Sequence, residues 1–123
     1  MQYPPSTVRS YSTGVFGRCI SAAGSHHFVV DHAAYQDGPG EQPGPVEHFL
    51  SSVSACGVLM LERQAKLRGI PVQHIDVRVE GVRRPLLEQD EGPTTLERVS
   101  IFFEFAGLSQ AQAETLVDYY KRH

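Results

Sequence analysis

The chain has 123 residues, enough for one domain with a hydrophobic core and too short for two. It is 41% hydrophobic and 20% charged, as globular proteins are, and a formal net charge of -3 removes any electrostatic reason to expect a nucleic-acid partner. No apolar run approaches membrane-spanning length, and the opening Met1-Gln2-Tyr3-Pro4-Pro5 is no signal peptide. Two cysteines without one imply reduced thiols in the cytoplasm rather than a disulfide scaffold.

Three strands are predicted first. Thr7–Ser12 alternates weakly and Gly14 can turn the chain. Val15–Ile20 is a second run, Ala23-Gly24-Ser25 a turn, and His26–His32 a third run. Short turns between such runs imply antiparallel pairing. After the glycine- and proline-rich stretch Asp37–Gly44, Pro45 suits the first turn of a helix, because its missing N–H would be unsatisfied there anyway. The helix can run to Arg68, about 36 Å, where Gly69-Ile70-Pro71 stops it. Phe49, Val53, Cys56, Met60 and Leu67 recur at helical spacing, and Leu50, Leu59 and Leu61 widen the apolar surface. Ser51, Ser52, Ser54, Ala55 and Gly57 keep the first half slim, so that other backbone can approach.

Val72–Val82 alternates with period two, a half-buried strand. Pro85–Thr95 reads as a polar loop, with Glu88–Glu91 solvated, and Leu96–Phe105 as a further strand. Ser109 is an N-cap for an amphipathic helix carrying Ala113, Leu116, Val117 and Tyr120. The order βββ-α-ββ-α makes an α+β domain, with no internal repeat.

Cys56 is the residue on which function turns: it is either quiet core, as free cysteines commonly are, or a reactive thiol. Reactivity requires a thiolate stabilised by a helix N-terminus or a nearby cation. Cys56 lies 11 residues past Pro45, about 16 Å into the helix, beyond the reach of the macrodipole. His48 is eight positions earlier and too far along the axis, and Arg63 is seven positions on. The cation must come from another element or another subunit, and Arg18 and Arg9 are the ones to test. Cys19 reads as a core cysteine, on the strand face opposite Arg18. It would resolve oxidised Cys56 only at disulfide distance. No CxxC, HxxxH or HExxH pattern exists, and His26-His27 face opposite sides of a strand, so no metal is expected. The Gly-Pro stretch is no phosphate loop, because no GK[ST] follows it, and there is no GxSxG.

The segment Gly44-Pro45-Val46-Glu47-His48-Phe49-Leu50-Ser51-Ser52-Val53-Ser54-Ala55-Cys56, with Lys66-Leu67-Arg68-Gly69-Ile70 leading into the next strand, resembles the OsmC/Ohr superfamily. It looks like that family's Pro-x-Glu-x-x-Leu stretch followed by small residues and the reactive cysteine. The resemblance implies a long central helix packed on antiparallel sheet in an intertwined homodimer, with residues 1–123 as a single domain whose C-terminal end a longer reading frame could extend. It implies thiol-dependent reduction of organic hydroperoxides without a bound cofactor. Cys56 is then the peroxidatic thiol, Arg18 the cation that holds it and Glu47 the acid of the motif. Phe49, Ser52 and Val53 line a shallow apolar pocket over the sulfur, shared with the partner subunit. The partners implied are a small hydroperoxide or apolar ligand and a thiol reductant.

This chain departs from the peroxidase members in two ways. Their glutamate directly follows the proline, ten residues before the cysteine; here Val46 stands there and Glu47 is nine before. Their resolving cysteine follows the last helix in a Cys-Pro context, whereas this chain ends at His123. Pro-Val-Glu is more similar to the broad OsmC-like branch. Arg18 should then be held less rigidly, and turnover should be weak and dependent on added small thiol. The rival readings are a non-catalytic dimer that binds an apolar ligand or senses oxidants through Cys56, and a structural dimer module with inert cysteines.

Overall fold

A computed structural model describes residues 3–84 and 96–123; the loop expected at Pro85–Thr95, with Glu88–Glu91, lies outside the described residues, as do Met1 and Gln2. The element order is β1 (Val8–Ser12), β2 (Arg18–Ala23), β3 (His26–Asp31), α1 (Pro45–Arg68), β4 (His74–Arg83), β5 (Leu96–Ala106) and α2 (Gln110–Arg122). A single 3-10 turn at Ala34–Gln36 precedes α1. This is the α+β class and the βββ-α-ββ-α order that the sequence predicts. The chain divides into two compact units, Met1–Phe49 and Leu50–His123.

The N-terminal unit holds an antiparallel sheet in the order β1-β2-β3, with Ser12 opposite Cys19 and Arg18 opposite Asp31. The second strand begins three residues later than the apolar run Val15–Ile20 suggests. Gly14 and Gly17 both have positive φ, so the chain turns through Val15 and Phe16, which stay exposed. Thr13 pins this turn: its hydroxyl accepts from the Val15 N–H and donates to the Arg18 carbonyl. Every residue of β1 is exposed, and among the described residues Val30 is the one large apolar side chain of this unit that is buried.

The C-terminal unit pairs β4 with β5 antiparallel. Period-two alternation gives the sheet two unlike faces. Ile75 opposite Phe105 and Val77 opposite Phe103 turn toward the core, while Asp76 opposite Glu104 and Arg78 opposite Phe102 lie on the other face. There the Arg78 guanidinium sits 4.1 Å from the centre of the Phe102 ring and also pairs with Glu80. The core proper is Leu61 and Ala65 of α1 against Leu116 of α2, with Val77, Phe103 and Tyr120 packed around them. Helix α2 opens on a reciprocal capping box: the Ser109 hydroxyl accepts from the Gln112 N–H while the Gln112 side chain accepts from the Ser109 N–H.

The inward face of α1 differs from the stripe that apolar spacing picks out. Gly57, Leu61 and Ala65 are buried, whereas Phe49, Cys56, Leu59 and Leu67 are exposed. The reason is close approach. A Cβ on Gly57 would lie 3.3 Å from Val77 Cγ1 and 3.5 Å from the Tyr120 ring, so β4 and α2 close on the helix where it has no side chain.

Two stability predictions follow from this core. Leu61→Ala, at a site with 0% exposure, should cost about 2–5 kcal/mol in urea unfolding. Gly57→Leu should cost about 1–3 kcal/mol through overpacking.

Candidate functional site

Helix α1 is unbroken from Pro45 to Arg68. Cys56 is exposed, on the side of the helix that Gly57, Leu61 and Ala65 do not use. Phe49, Ser52, Cys56, Leu59 and Arg63 follow one another at steps of three and four residues, so they share one stripe, and all are exposed. Val53 borders it half-buried. The thiol is therefore no part of this chain's core, and the sulfur stands among the residues expected to line its pocket. The two larger cavities found lie elsewhere. One, about 340 Å³, is lined by Phe103, Ala113 and Val117 among others; the second, about 330 Å³, is lined by Tyr11, Arg18, Cys19, Val30, Asp31 and His32.

Glu47, the acid of the motif, caps the helix. Its carboxylate accepts the Gly44 N–H at 3.2 Å, half of a capping box with glutamate at the third helical position. Among the described residues it forms no ion pair. His48, next to it, packs against Phe28 at 5.1 Å between ring centres, with Nε2 buried and unbonded among the described residues. No break in α1 brings His48 toward Cys56, eight positions on.

Arg18 opens β2 and faces its register partner Asp31, the last residue of β3. Nε donates to Asp31 Oδ1 at 2.8 Å and Nη2 to Oδ2 at 2.9 Å, a side-on fork in which both guanidinium and carboxylate planes are fixed. Glu41 adds a second carboxylate 3.6 Å from Nη2. The Asp31 side chain is fully buried and the Arg18 side chain is a quarter exposed. Asp31 Oδ2 also accepts the Glu41 and Gln42 N–H groups at 3.1 and 3.0 Å.

The Gly-Pro stretch thus has a structural account: it folds back over the end of β3 and delivers two amides to a buried carboxylate. Asp31 N–H donates to the Pro43 carbonyl and Gly40 N–H to the His32 carbonyl. Gly38 is required there, because a Cβ would lie 2.2 Å from the His32 carbonyl oxygen. Asp31 is the residue that sequence reasoning missed. Its only signal was an acid closing an apolar strand directly before a Gly-Pro stretch, with an arginine on the preceding strand.

The expectation that Val46 leaves Arg18 loosely held is not met. Its carboxylate partners come from β3 and the following loop, not from α1. The Arg18 hydrogen bonds hold the Asp31 carboxyl down at about 2, assisted by the two loop amides and opposed by desolvation. The guanidinium is held charged far above any working pH by the same bond.

Cys19, the second residue of β2, is half-buried and lines the second cavity, and both cysteines are free. Among the described residues no three His, Cys, Asp or Glu side chains stand together where they could hold a metal ion, and no helix is long and apolar enough to cross a membrane.

Because the folded-state value of Asp31 lies below that of a free carboxyl, its contribution to stability is present above about pH 4 and is lost as pH falls toward 2. Asp31→Asn should therefore flatten the acid limb of the stability curve between those values. Thermal melts of the two proteins from pH 6 to pH 2 measure it.

The sequence matches the family described as OsmC-like protein over residues 38–123. No curated protein matches it. Solved structures share the fold at low identity. An OsmC-like protein of Mycoplasma pneumoniae has a TM-score of 0.79 at 14% identity, covering 96% of this chain and 81% of that one. An organic hydroperoxide resistance protein OsmC of Legionella pneumophila, also described as a predicted redox protein, has 0.68 at 19%, covering 96% and 82%. A candidate organic hydroperoxide resistance protein of Vibrio cholerae, with captopril in one of its active sites, has 0.70 at 17%, covering 97% and 78%. The family match takes in all of α1, both strands of the second sheet and α2, and on that ground the chain belongs to the OsmC-like protein family.

Proposed function

We propose that residues 1–123 act as one OsmC-like domain in a homodimer that reduces organic hydroperoxides through Cys56. The observation that carries this reading is the exposed thiol of Cys56, set on a rigid helix within the family match. The hydroperoxide-resistance descriptions of two structural neighbours support the substrate class.

The chemistry needs no bound cofactor. The Cys56 thiolate attacks the terminal oxygen of the hydroperoxide. The O–O bond breaks, the alkoxide leaves and takes a proton to become the alcohol, and the sulfur is left as a sulfenic acid. A dithiol reductant attacks that sulfur, releasing water, and its second thiol displaces Cys56, so the reductant departs as a disulfide. Arg18 is the cation assigned to hold the thiolate. Phe49, Ser52 and Val53 receive the apolar part of the substrate, at about 25 cal/mol per Å² buried. Glu47 holds the start of the helix through Gly44. Cytoplasmic thiols suit such a cycle.

The dimer rests on what the isolated chain leaves uncovered. The N-terminal sheet has one buried large apolar side chain among the described residues, and Phe49, Leu59 and Leu67 of α1 are more than half exposed. A surface of this kind calls for a partner, and obligate interfaces often exceed about 2,000 Å² in total.

Two measurements test the proposal. Peroxide consumption with a dithiol should be seen with the unaltered protein and fall to background in Cys56→Ser, and dimedone should label Cys56 after peroxide. Equal rates in both proteins, with no labelling, would overturn the reading in favour of the inert module. Sedimentation at micromolar concentration should give a dimer; a well-folded monomer would remove the shared pocket.

A further inference from the structure

Helix α1 carries different chemistry on the two sides of Cys56. Ser52 and Val53, assigned above to the substrate, precede the sulfur, whereas Leu59 and Arg63 follow it on the same exposed stripe. Arg63 is seven positions beyond Cys56, so it stands about 10 Å along the helix axis and only about 20° around it. Among the described residues Arg63 enters no ion pair and lies over no aromatic ring. Its neighbour Glu62 is turned about 100° away, toward a cavity that Lys66, Ile70 and Ile75 also line. In a chain of net charge -3, the stripe thus ends in an exposed cation with no carboxylate partner among the described residues.

A turnover cycle brings two molecules to one sulfur. With the hydroperoxide toward Ser52 and Val53, the side of Leu59 and Arg63 is left for the thiol that reduces the sulfenic acid. Attraction between an exposed guanidinium and an anion is modest in water and screened by salt, with a Debye length of about 10 Å at 0.1 M. That is enough to choose between a charged and a neutral partner, and too little to anchor either. We infer that Arg63 is a specificity-determining residue for the reductant: the thiol that resolves oxidised Cys56 carries a negative charge, and the Arg63 guanidinium receives it. The inference rests on the proposed activity of Cys56 and names the class of its second substrate, an anionic dithiol.

Five proteins test this: the unaltered chain, Arg63→Gln, Arg63→Lys, Arg63→Glu and Lys121→Gln, which removes the same charge from the exposed end of α2. Circular dichroism checks folding. The first readout is the rate of Cys56 alkylation by anionic iodoacetate relative to neutral iodoacetamide, at pH 7 and low salt, followed on the Cys56 peptide by mass spectrometry. The ratio should fall about threefold in Arg63→Gln and about tenfold in Arg63→Glu, hold in Arg63→Lys and Lys121→Gln, and converge among the variants at about 0.5 M salt. The iodoacetamide rate alone should change by less than about twofold, which separates recognition of charge from altered thiol reactivity. The second readout is turnover of cumene hydroperoxide. In Arg63→Gln the KM for dimercaptosuccinate should rise about fivefold with kcat nearly constant, while the KM for neutral dimercaptopropanol stays the same. An alkylation ratio in Arg63→Glu within about twofold of the unaltered protein, or an equal loss in Lys121→Gln, would overturn the inference. Absence of peroxide consumption by the unaltered protein would instead remove the activity on which it rests, so the two failures are distinct.

Discussion

The N-terminal unit is organised around one buried carboxylate. Asp31 receives four hydrogen bonds, two from Arg18 and two from the backbone of the loop that follows it. A lone buried charge would be costly, so the carboxylate, the guanidinium and the loop amides depend on one another. Little apolar burial is available to hold this unit, and the polar network sets the geometry where packing does not. Buried ion pairs are weak evidence of stability but good evidence of a fixed arrangement. Here the fixed group is a cation, Arg18.

The C-terminal unit is built on the opposite principle. Leu61, Ala65 and Leu116 pack to near-zero exposure, and Gly57 lets Val77 and Tyr120 close on the helix. Gly57, Leu61 and Ala65 of α1 face this core, while Phe49, Cys56 and Leu59 are exposed. The helix buries a glycine while Phe49 and Leu59 stay exposed. The Cys56 thiol is exposed as they are.

Glu47 shows why a motif and a role should be kept apart. The Pro-x-Glu pattern is present, yet the carboxylate satisfies a backbone N–H at the helix start. A residue at the third helical position points back over the first turn, and an orphan donor is waiting there. The acid that meets Arg18 comes from a different element altogether, because antiparallel register sets Asp31 directly across from it.

The sequence alone determined the order of elements, the limits of α1 between Pro45 and Gly69, the Ser109 cap and the alternating faces of β4 and β5. Each follows from local chemistry or period: a missing N–H, a positive-φ glycine, a hydroxyl acceptor, alternation by two. It also singled out Cys56 and Arg18 from their types and surroundings. Only the tertiary structure decided which face of α1 is buried, since apolar spacing marks a wide stripe and close backbone approach selects the glycine side of it. Only the tertiary structure placed Asp31 against Arg18, because strand register and a loop folding back over a sheet end depend on contacts between residues distant in the chain, for which local sequence carries no period and no cap.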